Sequence, residues 1–178
     1  NNSGSQTASL LSSTNVTCSG DDDGTATVTV SGGATPYTYA WNTAPAQSNA
    51  QATSLAAGSY NCSITDAGGC IVIVPVTITE PTVVVVTVDP DSTVCPGTSF
   101  DFSGYATGGT PPYIFSWNNG LSNNANQTIT VTQDTSFTVT VLDDNLCQSG
   151  GATINIMVGP LLDVAAFGTQ TICMNETT

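Results

Sequence analysis

The chain contains no lysine, no arginine and no histidine, whereas thirteen of its 178 residues are aspartate or glutamate. Its side chains therefore cannot form salt bridges or cation–π contacts with one another. Nucleic-acid binding is excluded as a function, because phosphate recognition depends on Lys and Arg. The net charge of −13 should keep the chain soluble, and it could attract cations.

A pattern for catalysis is also missing. Without histidine, a serine or cysteine nucleophile has no imidazole base to activate it, and the acidic residues form no distinctive acid/base pair in either half of the chain. The cysteines include no Cys-x-x-Cys pair of the kind that holds zinc. We therefore predict that the chain is not an enzyme and that it has no cofactor.

Helical periodicity and membrane-spanning runs are absent as well. The aliphatic run at residues 83–88 is far shorter than the roughly 20 apolar residues that a helix needs to cross a bilayer. We expect no direct membrane insertion of this segment. The sequence instead alternates: Ala26, Val28 and Val30 interleave with threonines, as in a half-buried antiparallel strand. Similar patterns recur along the chain and predict an all-β protein.

One ten-residue phrase occurs twice, at residues 32–41 and 108–117. Each copy begins with two glycines, contains proline and ends in tryptophan, which indicates a turn followed by a strand. Aromatic residues alternate at period two along that strand, so they share one face. We predict that these aromatics form the core: Tyr37, Tyr39, Trp41, Tyr113, Phe115 and Trp117.

Cysteines repeat with nearly the same period. Cys18 recurs as Cys95 and Cys173, and Cys70 recurs as Cys147, at spacings of 77 or 78 residues. Such a period indicates tandem units, and we expect a fragment of a longer tandem protein. We assign residues 1–14 to a first strand or the end of a preceding linker, 15–80 and 81–159 to two repeats, and 160–178 to the first strand of a third, incomplete repeat.

Each unit has the size of a small β-sandwich. Turn signals separate about seven short strands per unit, as in immunoglobulin-like domains. The predicted fold is therefore all-β, with tandem immunoglobulin-like or PKD-like β-sandwich repeats. Units of this size have a thin core, so an additional covalent staple is expected.

The cysteine spacing indicates where that staple could lie. The two repeated cysteines of a unit are 52 residues apart in both units, so a single rule predicts the disulfides Cys18–Cys70 and Cys95–Cys147. Such a bridge would stabilise a unit by about 4 kcal/mol in the chain-entropy model. Two alternatives remain open: reduced buried thiols, and a bridge between neighbouring units such as Cys70 to Cys95.

Cys62 belongs to a different class of cysteine. The 77-residue offset aligns it with Val139, just as it aligns Tyr60 with Phe137. We therefore predict that Cys62 is a buried free thiol that packs as a small hydrophobe.

Loop carboxylates and sequons are the remaining candidate sites. Calcium prefers oxygen ligands from such carboxylates, but no spacing matches a defined calcium loop, so we expect solvated turn residues and no metal site. The candidate calcium ligands are Asp21, Asp22, Asp23, Asp143 and Asp144. Sequons make Asn61 and Asn126 candidate glycosylation sites.

A family resemblance is carried by several of these phrases in the first unit. They are Val16-Thr17-Cys18, Gly24-Thr25-Ala26-Thr27-Val28, the Gly-Gly-x-x-Pro-Tyr-x-Tyr-x-Trp run that ends at Trp41, Ile64-Thr65-Asp66-Ala67-Gly68-Gly69-Cys70 and Thr77-Ile78-Thr79-Glu80-Pro81. Together they resemble the SprB-type repeat of gliding-motility surface adhesins of Bacteroidota. The second unit, with its run at residues 132–141, looks more like the related PKD-like and immunoglobulin-like modules.

The resemblance implies an extracellular, cell-surface protein that is exported by the type 9 secretion route and carries no catalytic residues. Asp91-Ser92-Thr93 also looks like the O-glycosylation signal of Bacteroidota, which makes Ser92 a candidate site. We predict a non-enzymatic spacer in a long adhesin or filament, with neighbouring repeats as its partners. Alternative functions are glycan binding through the loops at residues 42–54 and 118–126, and a filament assembled by donation of the strand at residues 161–167.

Overall fold

The computed structural model describes residues 5–159, and the regular elements in that range are all β-strands. The chain divides into two compact units between Thr82 and Val83. The predicted third repeat, residues 160–178, lies outside the described residues, and so does the strand at 161–167. Within the described range, no helix is long and apolar enough to cross a membrane.

The first unit is a sandwich of two antiparallel three-stranded sheets, with the orders β1-β2-β4 and β3-β5-β6. Alternating side chains fill its core: in β2, Gly24, Ala26 and Val28 are buried, and Thr25 and Thr27 are only partly so. The strand predicted within residues 1–14 is β1, which pairs along β2. The strands are β1 (Thr7–Thr14), β2 (Gly24–Ser31), β3 (Thr38–Trp41), β4 (Gln51–Leu55), β5 (Gly58–Thr65) and β6 (Ile71–Ile78).

The second unit repeats this arrangement with one added strand. Its sheets have the orders β10-β12-β13-β8 and β11-β9-β7, and the short strand β8 pairs in parallel with β13. The strands are β7 (Val85–Val88), β8 (Ser92–Val94), β9 (Thr98–Thr107), β10 (Ile114–Trp117), β11 (Asn126–Val131), β12 (Thr135–Leu142) and β13 (Ala152–Val158). The predicted all-β, immunoglobulin-like sandwich class is confirmed.

Each unit has two ends, which we call poles. The glycine pole of the first unit holds the loop at residues 32–37 and the turn at residues 66–70, and Gln6 lies there because its amide donates to the Ile64 carbonyl. The closing pole holds residues 15–23 and the end of β6, where the Val16 N–H donates to the Thr79 carbonyl. The chain therefore comes in at one pole and leaves at the other.

The second unit has the same two poles. Its glycine pole holds the loop at residues 108–113 and the turn at 143–147, and a Cβ on Gly109 would meet the Val84 side chain, so the chain comes in at this pole. Its closing pole holds Cys95 and the end of β13, where the Gly159 N–H donates to the Val94 carbonyl.

The repeated aromatics lie in or against the two cores. Trp41, Phe115 and Trp117 are buried, whereas Tyr37, Tyr39 and Tyr113 are partly buried. Each indole N–H donates to a backbone carbonyl at 2.9 Å, from Trp41 to Asn49 and from Trp117 to Asn124. In the second unit, the Phe102 ring meets the Trp117 ring edge-on at 5.2 Å and stacks on Phe137 at 5.3 Å.

Truncating either tryptophan should destabilise its unit strongly. We expect Trp117→Ala to lower the free energy of unfolding by about 3–5 kcal/mol, because it leaves a cavity and an unpaired carbonyl. Ile114→Ala, on the exposed face of the same strand, is the matched control and should stay within about 0.5 kcal/mol. Urea unfolding followed by circular dichroism measures both, and equal losses in the two variants would contradict a core role for Trp117.

Candidate functional site

The glycine pole of each unit is built around one aspartate. In the first unit, Asp66 is almost fully buried, and its Oδ2 accepts the Ala34 N–H at 3.0 Å. Its Oδ1 accepts the N–H groups of Gly68 and Cys70, both at 2.9 Å. We call this carboxylate with its three N–H donors the aspartate clasp. It ties the glycine loop to the turn that joins β5 and β6.

The second unit forms the same clasp 77 residues later. Asp143 is fully buried, and its Oδ2 accepts the Thr110 N–H at 2.8 Å. Its Oδ1 accepts the N–H groups of Asn145 at 2.9 Å and Cys147 at 2.8 Å. The clasp is therefore a repeated element, although it lies in loops.

Glycine is required where each clasp closes. Gly33 and Gly109 both have left-handed backbones, with φ of +72° and +60°. A Cβ would lie 2.7 Å from Asp66 Oδ2 at Gly33, and 2.5 Å from Asp143 Oδ2 at Gly109. Both conditions favour glycine, because it alone has no Cβ. The second glycine of each repeated phrase therefore makes room for the carboxylate.

Both clasps favour the ionised form of the aspartate. The Ala34 N–H, followed by that of Cys70, lowers the pKa of Asp66 below its usual value near 3.8. The Thr110 N–H is the main cause that lowers the pKa of Asp143, although burial opposes it. Hydrogen bonds from N–H donors act in this direction because they stabilise the carboxylate anion.

Both clasps should make stability depend on pH. The pKa of each aspartate is lower in the folded chain than in the unfolded chain. The stability that each clasp contributes is therefore complete above about pH 4 and is lost as the pH falls through the folded pKa. Asp66→Asn and Asp143→Asn should lower the free energy of unfolding at pH 7 and flatten its fall in acid. Urea unfolding at a series of pH values tests this. Asp22→Asn, at an exposed loop residue, is the control, and an unchanged acid profile in Asp66→Asn would contradict the role of the clasp.

The predicted disulfides within units are wrong. Cys70 is a free, exposed thiol, whereas Cys18, Cys95 and Cys147 are each disulfide-bonded. The bridge Cys18–Cys70 is therefore not formed. In the first unit, Cys70 precedes β6 at the glycine pole, but Cys18 lies near Thr79 beyond the far end of that strand. Eight residues of strand span about 26 Å, whereas bridged Cα atoms lie within about 7 Å of each other.

The same geometry excludes a bridge between Cys95 and Cys147. Cys147 contacts Asp143, at the end of β12 that lies at the glycine pole. Cys95 follows β8, where Ser92 pairs with Ile156 of β13. Ile156 in turn pairs with Thr135, which lies at the other end of β12. The two cysteines are therefore separated by the length of a strand, again more than about 25 Å. The alternative bridge from Cys70 to Cys95 is also wrong, because Cys70 is free.

Cys62 is a buried free thiol, as predicted. It is paired with Trp41 across β3 and β5, so the neighbour of the tryptophan is this thiol and not a disulfide. Burial raises the pKa of Cys62, which keeps the thiol protonated and unreactive.

The candidate calcium ligands are dispersed. Asp143 is surrounded by N–H donors, which a cation would have to displace, so it serves the clasp. Asp23 accepts hydrogen bonds from the Thr17 N–H and hydroxyl, and Asp21, Asp22 and Asp144 are exposed loop residues. Between residues 5 and 159, no three His, Cys, Asp or Glu side chains gather as metal ligands would.

The candidate glycosylation sites differ in access. Asn61 and Asn126 are exposed, on β5 and at the start of β11. Ser92 is partly buried in β8, and its hydroxyl donates to the Pro90 carbonyl at 3.2 Å. Glycosylation at all three positions stays a prediction.

A shallow groove recurs on the side of both units. In the first unit it has a volume of about 380 Å³ and is lined by residues including Ala44, Thr53, Ala56 and Tyr60. The second, of about 370 Å³, is lined by the equivalent residues Leu121, Thr130, Gln133 and Phe137. The Tyr60 hydroxyl donates to the Ala56 carbonyl, and Phe137 is buried. These side grooves lie beside the loops at residues 42–54 and 118–126, which are the candidate glycan-binding loops.

Sequence reasoning missed the aspartate clasp. It named Asp66 only within a phrase that carries the family resemblance, and it named Asp143 as a candidate calcium ligand. The available signal was the 77-residue offset, which aligns Asp66 with Asp143 and therefore aligns two aspartates that both precede a repeated cysteine.

Comparison with known families supports the sequence interpretation. Residues 10–46 match the SprB repeat. This match confirms the predicted resemblance for β1, β2 and the first glycine phrase. No curated protein sequence matches the chain significantly.

A solved structure supports the fold. The three N-terminal domains of the bacteriophage RB49 Highly Immunogenic Outer Capsid protein (Hoc) are 20% identical, with 86% of this chain covered, 59% of that chain covered and a TM-score of 0.57. Fibronectin(III)-like modules of CbhA from Clostridium thermocellum are 15% identical, with coverages of 85% and 94% and a TM-score of 0.37. The chain thus spans 59% of the length of the phage structure, and this likeness shows the fold alone.

Proposed function

We propose that this chain is a non-enzymatic spacer segment of a long extracellular adhesin or filament. The observation that carries the proposal is the path of the chain through each unit: it comes in at the glycine pole and leaves at the closing pole. Units with this path, joined in tandem, extend an array by about one strand length each. The match of residues 10–46 to the SprB repeat supports an adhesin repeat module at the cell surface.

The strand arrangement suits a spacer that bears load. A pull on the two ends of a unit acts along the strands, because those ends lie at opposite poles. Ladder hydrogen bonds run perpendicular to the strands, so such a pull shears many of them together. The clasps and the Glu80 carboxylate, which accepts the Gly20 N–H at 2.7 Å, fasten the loops at the two poles.

The chemistry of the carboxylates supports a non-catalytic role. The acidic groups with lowered pKa values, such as Asp66, Asp91 and Asp143, are engaged by N–H donors from their own unit. A general acid or base needs a pKa near the working pH instead. Folds of this type are typically structural, and we extend the resemblance to export by the type 9 route and a role in gliding motility.

The length of the array tests the spacer role. Chains in which residues 6–82 occur once, twice or three times ahead of residues 83–178 should differ in maximum dimension by a constant increment of about 30 Å per added unit. Small-angle X-ray scattering measures that dimension. A dimension that rises only with the cube root of the mass would show that the units collapse on one another, and the spacer role would be wrong.

Glycan binding is the second candidate function, and the recurrence of the side groove favours it. Equivalent residues line the groove in both units, and an aromatic residue contributes in each, Tyr60 or Phe137. Sugar-binding sites commonly use an aromatic face, but Phe137 is buried and Tyr60 is partly buried. This burial favours a packing role for both rings.

A glycan array separates the two functions. With the labelled 178-residue chain as probe, the spacer role predicts no binding above background. Binding that is lost in Tyr60→Ala and retained in Ile73→Ala, which changes an exposed residue of β6, would identify the first side groove as a glycan site. Such a result would replace the spacer with a binding module.

A further inference from the structure

Cys70 is an exposed free thiol in a position whose counterpart is oxidised. In both units the cysteine N–H donates to Oδ1 of the clasp aspartate, at 2.9 Å for Cys70 and 2.8 Å for Cys147. The aspartate N–H in turn donates to the cysteine carbonyl, at 3.0 Å and 3.1 Å. Cys147 is disulfide-bonded and buried, whereas Cys70 is neither. The equivalent clasps therefore hold a free thiol in the first unit and a disulfide-bonded cysteine in the second.

The first unit offers Cys70 no partner. Cys18 lies at the closing pole, about 26 Å away along β6, and it is already disulfide-bonded. Cys62 is fully buried on the core face of β5, opposite Val74. Val74 is four residues along β6 from Cys70, which is about 13 Å. Both distances exceed the roughly 7 Å between Cα atoms that a disulfide allows.

We propose that Cys70 is the attachment point for a disulfide to the closing-pole cysteine of another repeat. This proposal rests on the spacer function, because it needs a repeat upstream of the first unit. The connection between β6 and β7 has six residues, which span at most about 20 Å. A connection of that length would hold the closing pole of an upstream repeat close to the glycine pole of the first unit. The closing-pole cysteines Cys18 and Cys95 are both bonded, so cysteines at that pole do enter disulfides.

The bond forms by ordinary thiol–disulfide exchange. The Cys70 thiol and the partner thiol together lose two protons and two electrons, and a sulfur–sulfur bond forms between them. The electrons reduce a disulfide of a dithiol oxidoreductase, or glutathione disulfide in solution, to two thiols. Cys70 suits this exchange because it is exposed, whereas the thiol of Cys62 is enclosed in the core.

A fusion that supplies the missing repeat tests the proposal. It consists of residues 1–82 followed by residues 5–178, which leaves six residues between the joined strands, as in the connection between β6 and β7, and the upstream copy carries Cys70→Ser. After refolding in a glutathione redox buffer, native alkylation and peptide mapping should find the remaining Cys70 protected. Adding Cys18→Ser to the upstream copy should restore near-complete alkylation of Cys70, as in the original 178-residue chain.

Controls separate the proposal from misfolding and from failure of the spacer role. The Cys62 peptides should stay unmodified in every folded sample, and Cys62→Ser should leave Cys70 protected. A second fusion, residues 83–159 followed by residues 6–178, offers Cys95 as the partner. If Cys70 is fully alkylated in both fusions while Cys62 stays protected, the proposal is overturned. The scattering experiment on array length does not depend on this outcome.

Discussion

Hydrogen bonds from N–H groups to carboxylates hold the loops of this protein in place. Because the chain has no cationic side chain, its own side chains and backbone can stabilise an acidic group only through N–H and O–H donors. The clasps of Asp66 and Asp143 are the most buried examples. The carboxylate of Asp91 is another, because it accepts hydrogen bonds from the backbone N–H and the side-chain amide of Asn155. Charge-assisted bonds of this kind are stronger than neutral ones. They join loops and turns to strands that are far away in sequence.

This arrangement also explains how Asp66 and Asp143 can be buried in a chain with a net charge of −13. The N–H donors stabilise negative charge locally without adding positive charge, so the net repulsion between units remains. Salt screens exposed charge pairs strongly and enclosed groups less, and the clasps are enclosed. Stability from the clasps should therefore change little with ionic strength, while repulsion between exposed carboxylates weakens as salt rises.

Sequence periodicity correctly predicted the features that are set within a single strand, such as its position in the chain and which of its faces is buried. The alternation in β2 and the aromatic phrases predicted the strands and the buried faces of Trp41 and Trp117, because side-chain direction follows the backbone period. The disulfides failed because an equal 52-residue spacing shows that two units are equivalent and does not show that two cysteines of one unit are close. The clasp was missed because an aspartate in a turn has the same local signature whether it is solvated or buried beneath another loop.

The positions of the cysteines follow from the way each unit is stabilised. A staple within a unit would have to join points that the fold brings together, but each repeated cysteine lies at a pole, with the length of a strand between the two. The stability of each unit therefore depends on its core and on its clasp. In the core, Trp41 packs beside Cys62 in the first unit, and Trp117 packs beside Phe102 in the second. In arrays of repeats, stability is roughly the sum of terms within units and terms between neighbours. Two cysteines at opposite poles of one unit are too far apart to bridge each other, so a disulfide between them cannot add to the first kind of term.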